Sequence, residues 1–93
     1  MNLTGKIVAL DDVISGEGHD GKPWCKQIIV VEYNPEYHKC AAVEMFGEEK
    51  VKMLQSLKVG DRVSVDFSID SRQFGYKWYV QLKGYCVAAY TPQ

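Results

Sequence analysis

Residues 63–69, Val-Ser-Val-Asp-Phe-Ser-Ile, alternate apolar and polar without a break. A period of two is the mark of a strand with one buried face and one wet face. Such a strand needs neighbours along both edges and a layer, or a closed barrel, over its apolar side. The chain has 93 residues to supply them, room for one domain. Val63, Val65, Phe67 and Ile69 are therefore expected to be almost fully buried, with Asp66 and Ser68 exposed.

The other segments follow the same period. A first strand is expected over residues 2–14. Leu3, Gly5, Ile7 and Ala9 share a face, and the alternation then breaks around Asp11-Asp12. A strand whose inward face switches part-way is bent or bulged, and Gly5 suits a close backbone approach. Residues 16–21 read as a loop. A second strand runs from Trp24 to Tyr33, Asn34-Pro35 turns the chain, and a third strand spans Lys39 to Phe46. Ala41, Val43 and Met45 lie on one of its faces, with Ala42, Glu44 and Phe46 on the other. One helix of about ten residues is expected next, with Gly47 as N-cap and Glu48 and Glu49 in its first turn. Val51, Leu54 and Leu57 share a side, and Gly60 stops the helix. The fourth strand covers Arg62 to Asp70. Ser71–Lys77 read as a hairpin loop centred on Gly75. The fifth strand runs from Trp78 to about Val87, with Val80, Leu82 and Gly84 facing in and Tyr79, Gln81, Lys83 and Tyr85 facing out.

The order is β-β-β-α-β-β. Five strands in a short chain leave an open edge unless the sheet closes. A bent first strand and one helix between strands three and four suit the all-β, five-stranded Greek-key barrel called the OB-fold, the helix plugging one end. A ferredoxin-like fold needs a helix after the first strand, and an SH3-like barrel lacks the internal helix. The domain is expected over residues 1–88, with a short tail at 89–93.

Composition narrows the function. Eleven Lys and Arg face twelve Asp and Glu, a net charge of -1, which argues against a strongly electrostatic duplex binder. No apolar run is long enough to span a membrane, and no signal-type segment opens the chain, so a cytoplasmic location is expected. Cys25, Cys40 and Cys86 are far apart and read as buried or half-buried reduced thiols; with His19 and His38 they form no metal-ligand spacing. The sequon Asn2-Leu3-Thr4 is set aside for want of a secretion signal. Gly16-Glu17-Gly18-His19-Asp20-Gly21 matches the dinucleotide fingerprint in form. That motif works only where a helix follows, and here a strand follows. The carboxylates are scattered and no nucleophile–base pair is evident, so neither enzyme activity, a cofactor nor a small-molecule substrate is expected.

The outer side of the second strand raises a sharper question. It carries Trp24 and Lys26, where a solvent face would seldom place a tryptophan. Phe46 ends the third strand on its outer side, and the last hairpin reads Arg72-Gln73-Phe74-Gly75-Tyr76-Lys77. OB-folds bind ligand across strands two and three, between the loops joining strands one to two and four to five. Aromatics interleaved with cations in that place suit single-stranded nucleic acid: bases stack on rings and cations track phosphates. The predicted surface is Trp24, Lys26, Phe46, Arg72, Phe74, Tyr76 and Lys77, binding single-stranded DNA or RNA without strong sequence preference. A rival reading stands beside it. Trp24 also suits a subunit interface or packing over the barrel rim, Phe46 suits core or helix-side packing, Trp78 reads as structural, and Tyr79 and Tyr85 could cover an edge or dimer seam. Edge strands need protection, and the chain carries six tyrosines and two tryptophans, so a homodimer is expected. On this rival reading the chain is an OB-fold interaction module that binds no nucleic acid.

The segments GKPWCKQIIVV, VEMFGEE and LKVGDRVSVDFSI, with the Arg72 to Trp78 stretch, resemble bacterial single-stranded DNA-binding proteins. They resemble more closely a small, poorly characterised bacterial family of similar OB domains, with the primosomal replication protein PriB a more distant relative. The resemblance spans about Leu3 to Val87. It implies that Trp24 and Phe46 stand where those binders stack bases, that Arg72 and Lys77 flank the binding hairpin, and that the role lies in replication or repair. Two departures are visible. The sequence stops at Thr91-Pro92-Gln93 without a long acidic-tipped tail, so partner recruitment of that kind is not expected. The last hairpin reads as short, which would shrink any wrapping surface.

Overall fold

The computed structural model describes residues 1–90. Its elements are β1 (Asn2–Leu10), β2 (Ile14–Glu17), β3 (Pro23–Asn34), β4 (Lys39–Phe46), α1 (Glu48–Leu54), β5 (Arg62–Phe74) and β6 (Lys77–Ala89). The strands run β1-β5-β6-β4-β3-β2 across the sheet, and a further pairing of β1 with β3 closes five of them into a ring. This is the OB barrel with its plug: α1 packs against β3, β4 and β6, and its Val51 and Leu54 are buried.

β1 closes the ring by serving two neighbours. Its first half, Asn2 to Lys6, pairs with β5, and its second half, Lys6 to Leu10, pairs with β3. Val8 is the extra residue of a bulge between Ile7 and Ala9, the bend anticipated from the broken alternation. At the crossing, a Cβ on Gly5 would overlap the Glu32 carbonyl oxygen. The expected single strand over residues 2–14 is cut at residues 11–13. Ile14 to Glu17 then form β2, which pairs with the far end of β3. The glycine-rich turn that follows is closed by the Gly18 N–H on the Lys22 carbonyl at 2.9 Å. It leads into β3, so the dinucleotide motif has no helix to work with.

Ile7, Ile29, Val31, Val43, Met45, Val63 and Val65 are completely buried, with Leu54, Phe67 and Val87 nearly so. Ile69 departs from expectation at 51% exposed, as does Val80. Both keep the inward parity of their strands but lie past the rim. The parallel pairing of β4 with β6 covers only Val43–Leu82 and Glu44–Lys83. Beyond it β5 and β6 run on as a two-stranded arm, paired to the tip at Phe74–Lys77. The segment 71–77, expected as a short loop, is therefore mostly strand. Only Gly75 and Tyr76 make the turn, with Gly75 at φ 65°, the left-handed setting that two-residue hairpins require and glycine supplies without strain.

The helix is seven residues rather than about ten. The chain must leave it early to start β5, because the Gly60 N–H donates to the Ile7 carbonyl and the Ile7 N–H to the Asp61 carbonyl, both at 2.8 Å. Cys25 is half-buried, but Cys40 and Cys86 are exposed. These two stand at outward positions, opposite Glu32 and Asp66. At the C-terminal end β6 reaches Ala89, and the Tyr90 N–H donates to the Arg62 carbonyl at 2.9 Å. The rest of the expected tail, from residue 91, lies outside the described residues.

Candidate nucleic-acid interface

The site begins with a register. Lys26 of β3 stands opposite Phe46 of β4, so Trp24, two residues earlier on the same face, is the diagonal neighbour of Phe46. The two rings stack, with centroids 6.1 Å apart and planes 19° from parallel. On its other flank Trp24 faces Gly16 of β2. A Cβ there would come within 2.8 Å of Trp24 Cζ2, so the absent side chain leaves room for the indole to lie against the sheet. Trp24 is half-buried in this way, while Phe46 stays exposed. The Lys26 Nζ sits 6.0 Å from the centre of the Trp24 ring, within cation–π range. The tryptophan and lysine on an outward face thus form one unit: an aromatic platform with a cation held over it.

Phe46 also belongs to a groove of about 520 Å³ that runs between β4, α1 and the base of the arm. Lys26, Lys50, Arg72 and Lys83 line it, with Glu44 the one carboxylate among its lining residues. In a chain of net charge -1, that is a segregation of positive charge onto one face. Lys50 of α1 leans over Tyr85 of β6, its Nζ 5.6 Å from the ring centre. Asp70 lies beside the groove and tempers two of its cations, Lys83 at 3.2 Å and Arg72 at 3.9 Å. These pairs are solvent-accessible, so they are weak and open to competition by an anionic ligand.

The arm extends the same face. Asp70–Gln81, Arg72–Tyr79 and Phe74–Lys77 are successive facing pairs of equal parity. Gln81 and Arg72 line the groove, so Tyr79, Phe74 and Lys77 continue its side outward. Phe74 is 80% exposed, and Tyr76, in the turn, 92%.

Of the seven residues expected at the site, Trp24, Lys26 and Phe46 are thus in mutual contact range and Arg72 joins them across the groove. Phe74 and Lys77 share the face farther out along the arm, and Tyr76 caps its tip. Sequence reasoning missed Lys50, Lys83 and Tyr85 as site residues. Lys83 was readable as outward-facing from the alternation of its strand. Tyr85 is the extra residue where the register slips between Asp66 and Phe67, and Lys50 comes from the helix, which strand parity does not describe.

The match to a family model runs over residues 2–88 and carries the description "Domain of unknown function (DUF3127)". The chain belongs to the DUF3127 family. No curated protein matches it. Among solved structures, the DUF3127 chain is similar to two crystal forms of the S. cerevisiae mitochondrial single-stranded DNA-binding protein Rim1. The first is 16% identical with a TM-score of 0.68, covering 96% of this chain and 91% of that one. The second is 14% identical with a TM-score of 0.64, covering 96% and 90%. At such identities the likeness is one of fold: this DUF3127 chain and Rim1 share the OB barrel.

Proposed function

We propose that this domain binds single-stranded nucleic acid, DNA in the first place, without catalysis, by stacking bases on Trp24 and Phe46 and holding phosphates with Lys26, Lys50, Arg72 and Lys83. The supporting observation is the continuity of the Trp24–Phe46 platform with a groove holding four cations. The overall charge would oppose a polyanion, and the local charge does not. Stacking contributes about 1–3 kcal/mol per base and tolerates any sequence. The arm, longer than the sequence suggested, adds Phe74, Tyr76, Tyr79 and Lys77 to the path. Rim1, whose barrel this one resembles, is a mitochondrial single-stranded DNA-binding protein. We extend this reading to a role in replication or repair. The test is fluorescence anisotropy with labelled oligo-dT at two salt concentrations, with tryptophan emission followed in the same titration. Binding that weakens with salt and quenches the tryptophan emission is expected. Unchanged anisotropy and emission at low salt, from a folded protein, would sink the proposal.

A second reading has its own observation. The opposite face of the arm carries Ile69, Trp78 and Val80, all exposed, and runs into an apolar hollow formed by Met1, Leu3, Tyr33, Ala41 and Leu82. An exposed apolar face of that kind suits self-association. A homodimer using it would leave the groove face free. Sedimentation at increasing concentration tests this directly, and a monomer at high micromolar concentration counts against it.

A further inference from the structure

Glu44 is out of place in a groove built for phosphates. It projects from β4 among Lys26, Lys50, Arg72 and Lys83, where a carboxylate repels a polyanion. Arg72 and Lys83 do not use it, since both pair with Asp70. Glu44 instead accepts a hydrogen bond from the side-chain amide of Gln81, on the facing strand β6. A neutral partner fixes the position of the carboxylate and leaves its charge intact. The carboxylate keeps free lone pairs, and the Gln81 amide keeps a second N–H. The groove therefore offers two acceptors beside a donor in one place, and Phe46 and Tyr85 also line it.

That pattern has a natural complement. Guanine presents N1–H and N2–H₂ as adjacent donors, with the O6 acceptor beside them. Its two donors can meet one carboxylate in a bidentate pair while O6 takes the Gln81 N–H. Thymine and uracil present a single N–H between two carbonyl oxygens, so one carbonyl must face the carboxylate; cytosine and adenine each bring one amino donor beside a ring-nitrogen acceptor, so they meet one carboxylate oxygen and not both. Single strands leave these base edges free to be read.

We propose that Glu44, positioned by Gln81, makes this groove a guanine-selective subsite within an otherwise sequence-tolerant strand-binding face. The inference rests on the strand-binding reading above and adds specificity at one nucleotide. Phosphates and stacked bases hold the strand, and Glu44 sets which base settles in the groove. By this account Glu44 weakens binding to thymine-only strands as the condition of preferring guanine.

The test uses three oligonucleotides of equal length: all thymidine, the same with one central deoxyguanosine, and the same with one central deoxyinosine, which keeps O6 and N1–H but lacks the N2 amino group. The guanine strand is expected to bind roughly fivefold to tenfold more tightly than the thymine strand, the lower part of what one bidentate base contact gives. The inosine strand should lose most of that gain. Glu44→Gln, checked for an unchanged melting temperature, should bind the thymine strand more tightly and no longer distinguish guanine from inosine. Equal binding of all three strands by the wild-type protein would overturn the guanine subsite and leave strand binding standing. A Glu44→Gln protein that tightens on every strand by the same factor and keeps the guanine preference would overturn it too, reducing Glu44 to a general repulsion. Failure of every strand to bind would remove the strand-binding reading itself, and this one with it.

Discussion

Two strands, β5 and β6, run from the barrel into the arm, and the two regions they cross obey different physics. Inside the ring, each inward side chain meets others across the barrel, and Val63, Val65 and Phe67 lose almost all contact with water. Past the rim the same alternation continues, but no layer lies opposite, so Ile69, Trp78 and Val80 keep inward parity and remain exposed. Parity tells which side a residue is on; only topology tells whether that side is dry. The arm is held by its ladder and its turn, and a bare two-stranded ribbon is marginal in water. It is therefore the part of the molecule free to present side chains on both faces.

That contrast can be broken at specific points. Phe67→Ala should destabilise the domain by about 3–5 kcal/mol through lost burial and the cavity left behind. Ile69→Ala, two residues along the same face, should cost under about 1 kcal/mol, as surface substitutions do. Urea denaturation of the two variants measures the difference, and equal losses would mean that the arm is packed in solution. Gly5→Ala should come next, at roughly 1–3 kcal/mol of overpacking, because the added methyl meets the Glu32 backbone in the closed ring. Trp24→Ala should leave the fold intact and weaken strand binding by about 1–3 kcal/mol, the contribution of one stacked base, as read by anisotropy. The smallest effect belongs to the arm: Lys77→Ala should weaken binding slightly and lower the salt slope by roughly 0.7, the single-strand value for one lost phosphate contact. An unchanged slope would leave the tip of the arm outside the binding path.

The barrel was legible in the sequence for the reason the arm was not. Burial writes a period of two into Val63-Ser64-Val65-Asp66-Phe67, and a bulge leaves its trace where the period slips, as near Val8. A ribbon solvated on both sides has no burial to record. Arg72-Gln73-Phe74-Gly75-Tyr76-Lys77 therefore reads as a loop, although four of its six residues, all but Gly75 and Tyr76, are strand. The helix end was misread because its side-chain pattern continues through Leu57, whereas the hydrogen bonds of Gly60 and Asp61 to Ile7 that end it are long-range. At the site, Trp24, Lys26 and Phe46 were visible because one strand and its neighbour carry them. Lys50 and Tyr85 meet through the packing of a helix on a bulged strand, which no local pattern encodes.

The ring itself is fastened by very little. Where β4 meets β6 only two residue pairs hold, Val43–Leu82 and Glu44–Lys83, and Glu44 and Lys83 also line the groove. The clasp of the barrel and the mouth of the proposed binding groove are thus one place. A strand bound as proposed would lie across both β4 and β6, so occupancy and closure would be thermodynamically linked: whatever favours the fastened ring would favour binding, and binding would slow the local opening that exposes the amides of β4 and β6 to exchange.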